Sequence, residues 1–144
     1  MKKLLYILPI AVVLCLNSCS NNENYDEVPQ SIIEFITQYW PNPIIENYTH
    51  PNDNEYNVTI KNGPSIEFDG DYSWTEADGN GLELPQVFLY DQLPSKLYEY
   101  LESMEYLNEV FKVERTPRTY TLELLNTEIY YDIATGAVSG RQQS

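Results

Sequence analysis

The feature that most constrains the fold is an internal similarity, because residues 28–69 return in altered form as residues 93–132. In each copy a proline, Pro29 or Pro94, precedes apolar residues at helical spacing. Proline is tolerated in the first turn of a helix and often marks its start. The sequence therefore predicts that each copy begins with an amphipathic helix.

The clearest correspondence lies between residues 56–69 and 120–132, where apolar and polar residues alternate. A period of two is typical of a strand with one buried and one solvent-facing side. The Asn62-Gly63 pair favours a hairpin turn, and Asn126-Thr127 is its weaker counterpart. Short alternating runs before each hairpin, and residues after it, indicate further strands.

A helix followed by an antiparallel meander, twice over, predicts an α+β fold. We expect two tandem helix-plus-antiparallel-sheet units, about 28–80 and 93–140, that form one domain spanning 28–144. About 115 residues suit one domain with a modest core. The connector, residues 82–92, is assigned to neither helix nor coil. Its residues expected to pack between the units are Val87, Phe88 or Leu89.

The N-terminus has the layout of an export signal, with two lysines followed by an apolar run at residues 4–16. This run is too short to span a membrane, which needs roughly 20 apolar residues. It ends in Leu-Asn-Ser-Cys, which resembles the lipobox of bacterial lipoproteins. Residues 1–18 are therefore predicted to be a lipoprotein signal peptide, with Cys19 as the lipidated residue. The alternative is an ordinary secretory signal that happens to precede a cysteine.

Lipidation agrees with the cysteine content, because Cys15 leaves with the signal and Cys19 is then the only cysteine. No intramolecular disulfide is possible in the mature chain. Residues 19–27 are polar, without apolar periodicity, and are predicted to be a tether. By resemblance to the sorting rule of enteric bacteria, Ser20 favours the outer membrane. We expect an outer-membrane lipoprotein that faces the periplasm or the cell surface.

The charge of the mature chain excludes two classes of partner. Without the two signal-peptide lysines, six basic residues stand against 22 acidic ones, a net charge of −16. Nucleic acids and anionic lipids require clustered Lys and Arg, so neither is expected as a partner. An acidic surface attracts cations or basic proteins, or it serves only to keep the domain soluble.

The combined pattern resembles the PepSY-like, β-lactamase-inhibitor-like family of exported proteins from Gram-negative gut bacteria. The resemblance implies tandem helix-plus-sheet units and a role in binding or inhibiting another protein. The β-lactamase inhibitor itself carries disulfides, which this domain lacks, and its inhibitory loop has no matching position here. The resemblance therefore carries over the fold and not the inhibition. It rests on Pro29, Tyr56, Asn62, Gly63, Phe68, Asp69 and Trp74, with Pro94, Tyr120, Asn126 and Asp132 as second-copy counterparts.

Catalysis is not expected, because the single histidine, His50, lies in a polar loop and no thiol remains to pair with it. No nucleophile elbow, phosphate loop or zinc-binding helix is present. Carboxylate pairs such as Glu67 with Asp69 are expected by chance among 22 acidic residues. Calcium ligation at residues 52–55 or 69–71 is the weaker interpretation, since Asn and Asp also build turns. We predict a non-enzyme without a cofactor or resident metal.

Aromatic residues are the better functional clue, since 12 of the 13 tyrosines and both tryptophans follow the signal. Tyrosine is favoured at binding surfaces because it offers a large area and a polar tip. Tyr56, Tyr120 and Tyr131 alternate with polar residues and are predicted to be core. The candidate binding residues on the solvent side of the sheet are Lys61, Glu67, Tyr72, Trp74, Thr121, Glu123 and Tyr130.

These observations predict a lipid-anchored binding module for a protein or peptide, either another envelope protein or a secreted one. Glycan binding by the same aromatic residues, as an accessory to polysaccharide uptake, is the first alternative. Inhibition of a secreted hydrolase is the second, and it follows from the family resemblance alone.

Overall fold

The computed structural model describes residues 27–143. The predicted signal peptide, Cys19 and all of the tether except Glu27 lie outside the described residues. The first half contains α1 (Gln30–Tyr39), β1 (Ile45–Asn52), β2 (Glu55–Ile60), β3 (Ser65–Asp69) and β4 (Trp74–Asp78). The second half contains α2 (Gln86–Gln92), α3 (Ser95–Ser103), β5 (Val110–Arg115), β6 (Thr119–Leu124), β7 (Thr127–Asp132) and β8 (Val138–Gln142).

Each of these helices begins directly after a proline: Pro29, Pro85 or Pro94. The proline carbonyl accepts the first helical hydrogen bonds, as Pro29 does from the N–H groups of Ile32 and Ile33 at 3.0 and 3.2 Å. Proline suits this position because its fixed φ is compatible with a helix start and it has no N–H to leave unpaired. The predicted helix starts after Pro29 and Pro94 are confirmed. The connector forms the helix α2, whereas the sequence analysis assigned it to neither helix nor coil.

All eight strands lie in one antiparallel sheet in the order β1 to β8. The two halves join where β4 pairs with β5, through Glu76 opposite Glu114, Ala77 opposite Val113 and Asp78 opposite Lys112. The predicted fold of two tandem helix-plus-sheet units is therefore wrong. Pairing β4 with β5 satisfies backbone groups that two separate units would leave exposed at their edges. An α+β class remains consistent only in that helices accompany an antiparallel sheet.

The helices cover one side of the sheet, and a single cluster of buried apolar residues lies between them. Phe88 and Leu89 of α2 are fully buried, whereas Val87 is 53% exposed. The Phe88 ring lies 5.2 Å from Trp74 of β4 and 5.4 Å from Tyr39 of α1, measured between ring centroids. The connector thus packs at the centre of the core, against elements from the first half.

No helix within residues 27–143 has both the length and the apolar character needed to cross a membrane.

Candidate binding surface on the open side of the sheet

The side of the sheet opposite the helices is polar. Residues directly opposite one another in an antiparallel pair project to the same side, so the strand register defines continuous rows. The first row is Thr49, Asn57, Glu67, Glu76, Glu114, Thr121, Tyr130 and Ser139. The second row is Asn47, Thr59, Ser65, Asp78, Lys112, Glu123, Glu128 and Arg141. Every residue of both rows is exposed or half-buried, and we call the two rows the open face.

Between these rows runs a third one that projects the other way, into the core. Its members Val58, Ile66 and Val113 are completely buried. The alternation along β2, β3 and β6 therefore places apolar side chains under the helices and polar ones on the open face. The same sequence pattern builds the core and the candidate surface.

The centre of the open face is acidic. Glu67, Glu76 and Glu114 stand directly opposite one another on β3, β4 and β5, and neighbouring strands are only about 4.8 Å apart. The Lys112 ammonium lies 3.0 Å from a Glu76 carboxylate oxygen, the one ion pair within residues 27–143. The side chains of this ion pair are partly buried, with exposed fractions of 23% for Lys112 and 22% for Glu76.

Two of these groups have perturbed ionisation. Partial burial raises the pKa of the Glu67 carboxyl, and the negative charges of Glu76 and Glu55 raise it further. Partial burial lowers the pKa of the Lys112 ammonium, but the hydrogen bond and the charge of Glu76 outweigh that effect and the pKa is raised overall. The charged form of Glu67 is therefore disfavoured in the folded domain, whereas that of Lys112 is favoured.

The open face brings together four of the seven candidate binding residues. Glu67, Thr121 and Tyr130 belong to the first row. Glu123 belongs to the second. Lys61 is exposed in the turn between β2 and β3, at the margin of this face.

The other two candidates lie elsewhere. Tyr72 lies in the turn between β3 and β4, at the other end of β3 from Lys61, and is 40% exposed. Trp74 is only 2% exposed and projects into the core. Its indole N–H donates to the Gln92 side-chain oxygen at 2.8 Å, and the Arg115 guanidinium covers its ring at 4.3 Å. Trp74 therefore joins β4 to α2 and is not part of the open face.

Sequence reasoning missed Glu76, Lys112 and Glu114, which occupy the middle of the open face. Part of the signal was present, because residues 111–114 alternate between apolar and polar side chains in the same way as the two hairpins. Recognising these residues required the pairing of β4 with β5, which brings Glu76 and Glu114 together.

A separate aromatic group lies at the edge of the sheet, near β1. The His50 and Tyr56 rings are stacked with centroids 4.0 Å apart and planes inclined by 7°. The Tyr72 ring packs edge-on against Tyr56 at 5.2 Å. Tyr56, predicted to be core, is half-buried in this group. The faces with which the His50 and Tyr56 rings stack on each other are therefore not available to stack on a ligand.

The residues considered for calcium ligation form turns. The Asn52 side-chain oxygen accepts a hydrogen bond from the N–H of Asn54 at 2.9 Å. One Asp69 carboxylate oxygen accepts from the N–H groups of Asp71 and Ser73 at 2.9 and 3.0 Å. Within the part of the chain that the structure describes, no group of three or more His, Cys, Asp or Glu residues is arranged to hold a metal ion.

A sequence profile of the family described as "Putative beta-lactamase-inhibitor-like, PepSY-like" matches residues 54–136. The chain belongs to this family. The match confirms the resemblance read from the sequence. It runs from the start of β2 to the turn after β7, so it includes both strands at the centre of the sheet. No curated protein matches the chain.

Solved structures from Bacteroides share the fold of this PepSY-like chain. A protein of the DUF2874 family from Bacteroides vulgatus, described as a "putative periplasmic protein", is 24% identical, with a TM-score of 0.66 over 81% of this chain and 92% of its own. A protein from Bacteroides thetaiotaomicron, described as a "putative calcium-regulated periplasmic protein", gives the same values. A second protein from Bacteroides vulgatus, described as a "putative periplasmic protein of unknown function", is 20% identical, with a TM-score of 0.65 over 81% and 94% of the two chains.

Proposed function

We propose that this PepSY-like chain is a non-catalytic binding domain of the cell envelope that holds a protein partner on its open face. The observation that carries this proposal is the polar surface that crosses all eight strands opposite the helices, which no other element within residues 27–143 covers. A sheet needs only one buried side to fold, so its other side is free to serve another purpose.

The dimensions of the open face suit a protein better than a small ligand. Eight strands at about 4.8 Å spacing extend roughly 34 Å, and the seven strands of five or six residues add roughly 18 Å in the other direction. The resulting area of about 600 Å² is close to the roughly 800 Å² that each partner contributes to a stable protein interface. The residues of this surface are also mostly polar or charged, whereas small-molecule sites are typically lined by apolar side chains.

Glycan binding has less support from this geometry. That alternative depended on exposed aromatic residues, and Trp74, the largest of the proposed set, lies in the core. Tyr130 is the one aromatic residue in the two rows of the open face. A platform for stacking sugar rings would need more aromatic surface than this single tyrosine supplies.

The domain is proposed to be tethered to the outer membrane by lipid on Cys19 and to act in the periplasm or at the cell surface. The lipobox-like sequence supports the anchor, and the periplasmic descriptions of the structural neighbours support the location. In a Gram-negative host, the wild-type protein should fractionate with membranes and carry the mass of a lipid group. Cys19→Ala should lose both properties. A Cys19→Ala protein that retained the modification and the membrane fraction would contradict the anchor.

The docking surface is tested by photo-crosslinking in the native envelope. A photoreactive amino acid replaces Thr121 or Tyr130 on the open face, and Tyr90 serves as the matched control because it is 67% exposed on α2, on the helical side. We expect one discrete crosslinked product from both open-face positions and none from position 90. A product from position 90 alone would place the partner on the helices and reject the open face.

A further inference from the structure

The three carboxylates at the centre of the open face impose an energetic cost on the folded domain. Residues directly opposite in an antiparallel pair have Cβ atoms about 4.5–5.5 Å apart, and like charges at such positions are destabilising. Glu76 has Glu67 opposite it on one side and Glu114 on the other. Partial burial raises the pKa of the Glu67 carboxyl, and the neighbouring negative charges raise it further.

The nearby lysine offsets only part of this charge. Lys112 stands opposite Asp78 and Glu123 and forms its ion pair with Glu76. Within residues 27–143, Glu67 and Glu114 have no hydrogen bond or ion pair from their side chains. The two carboxylates beside Glu76 are therefore available to another cation.

The open face as a whole also has a net negative charge. Its two rows contain six carboxylates, from Glu67, Glu76, Asp78, Glu114, Glu123 and Glu128, and two cations, from Lys112 and Arg141. Acidic residues that served only to keep the domain soluble would do so equally well if they were dispersed over the surface. They would then not repel one another across neighbouring strands. The crowding at the centre is explained if a cationic group binds there and removes the repulsion.

We propose that the partner presents a basic surface, with arginine or lysine side chains that enter between Glu67, Glu76 and Glu114. This inference rests on the proposed function, because it specifies the chemistry of the partner held on the open face. Carboxylates one strand apart are close enough for a single guanidinium to bridge two of them, and arginine presents five donors in a planar fork that suits this geometry. Positive charge on the partner also accelerates encounter with an acidic surface.

The test measures fluorescence anisotropy of a labelled nonapeptide of alternating Arg and Thr with the full-length protein in neutral detergent. A peptide with Glu in place of Arg is the probe control. The open-face variant is Glu67→Gln with Glu114→Gln. The matched control variant is Glu99→Gln with Glu102→Gln, which changes the net charge equally on exposed residues of α3.

We expect the Arg peptide to bind and the Glu peptide not to bind. The open-face variant should weaken binding at least fivefold, whereas the α3 variant should stay within twofold of wild type. Binding should disappear in 1 M NaCl, where the Debye length is about 3 Å. The open-face variant should also have a higher Tm than wild type, because the repulsion is relieved, which separates loss of recognition from loss of folding.

Other outcomes overturn the inference. Equal weakening by both variants would mean that net charge alone attracts the peptide. Calcium chloride is also titrated in place of the peptide. If the peptide fails to bind, and calcium binds to wild type but not to the open-face variant, the three carboxylates form a metal-ion site instead.

Failure of the inference is distinguishable from failure of the proposed function. If crosslinking from Thr121 and Tyr130 captures a partner equally well in wild type and in the open-face variant, the docking surface stands and the basic-partner inference is wrong. If neither position crosslinks in wild type while position 90 does, the proposed function itself is wrong.

Discussion

Phe88 is the residue through which the packing of the core is best tested. Its side chain is completely buried, and its ring packs against aromatic residues from the first half of the chain. The centroid distances are 5.2 Å to Trp74, 5.4 Å to Tyr39, 5.5 Å to Trp40 and 6.3 Å to Phe35. The substitutions Phe88→Ala and Phe88→Leu separate the contribution of its volume from that of its aromatic contacts.

The expected cost follows from what each substitution removes. Phe88→Ala loses the buried area and leaves a cavity, which typically costs about 3–5 kcal/mol. Phe88→Leu retains most of the apolar volume and loses the aromatic ring pairs, each worth about 0.5–1.5 kcal/mol. We expect about 4 kcal/mol for Phe88→Ala and about 2 kcal/mol for Phe88→Leu. Against a total stability of roughly 5–15 kcal/mol, the alanine variant should be close to marginal.

Urea denaturation followed by tryptophan fluorescence measures these values, since both Trp40 and Trp74 contact Phe88. The m-value should remain unchanged, so that the midpoint reports stability alone. Val87→Ala is the matched control, because Val87 is the adjacent residue and is 53% exposed, and it should cost less than about 0.5 kcal/mol. If Phe88→Ala and Val87→Ala lie within 1 kcal/mol of each other, α2 is not a core element and the packing argument fails.

Two further predictions concern the open face and a turn. The raised pKa of Glu67 means that its contribution to stability is present below the unfolded-state pKa and is lost as pH rises through the folded-state pKa. Urea midpoints should therefore show that Glu67→Gln is more stable than wild type at pH 7 and that this difference in stability shrinks as the pH falls to 4. A difference in stability that does not depend on pH would contradict this reasoning. Gly79→Ala should cost about 2 kcal/mol, because the new Cβ would overlap the Leu82 carbonyl oxygen. Gly81→Ala should cost only about 1 kcal/mol, since the site is open and only its φ of +86° is unfavourable; equal losses in Tm for the two variants would refute the steric explanation.

Local elements of the fold were predictable because their signals are local. Pro29 and Pro94 fixed two helix starts, and the Asn62-Gly63 pair identified the β2–β3 turn, where Asn62 has a φ of +54°. The pairing of β4 with β5 was not predictable in this way. Residues 79–109 separate the two strands, and alternation of side chains does not determine which strand edges meet.

The candidate surface was predictable wherever the strands are regular. Glu67, Thr121, Glu123 and Tyr130 lie on the open face because each alternates with a buried neighbour. Trp74 was also predicted to lie on the solvent side. An irregularity in the β3–β4 register places Trp74 opposite Phe68 instead, on the core side. A bulge of one residue reverses the direction of the side chains beyond it, and period-two alternation does not reveal it.

The strand order has a consequence for how the chain folds. Six of the seven strand pairings join segments separated by short turns, so they close small loops and form without a large loss of chain entropy. The β4–β5 pairing is different, because it closes the loop of residues 79–109 and consists of three opposed residue pairs. Contacts of this kind form late, since the entropy of closing the loop is lost before the contacts are made. The two four-stranded meanders are therefore expected to form first and independently. The slowest step then joins them at the position where Glu76 meets Glu114, and positive ions in the solvent should accelerate that step by screening the two carboxylates from each other.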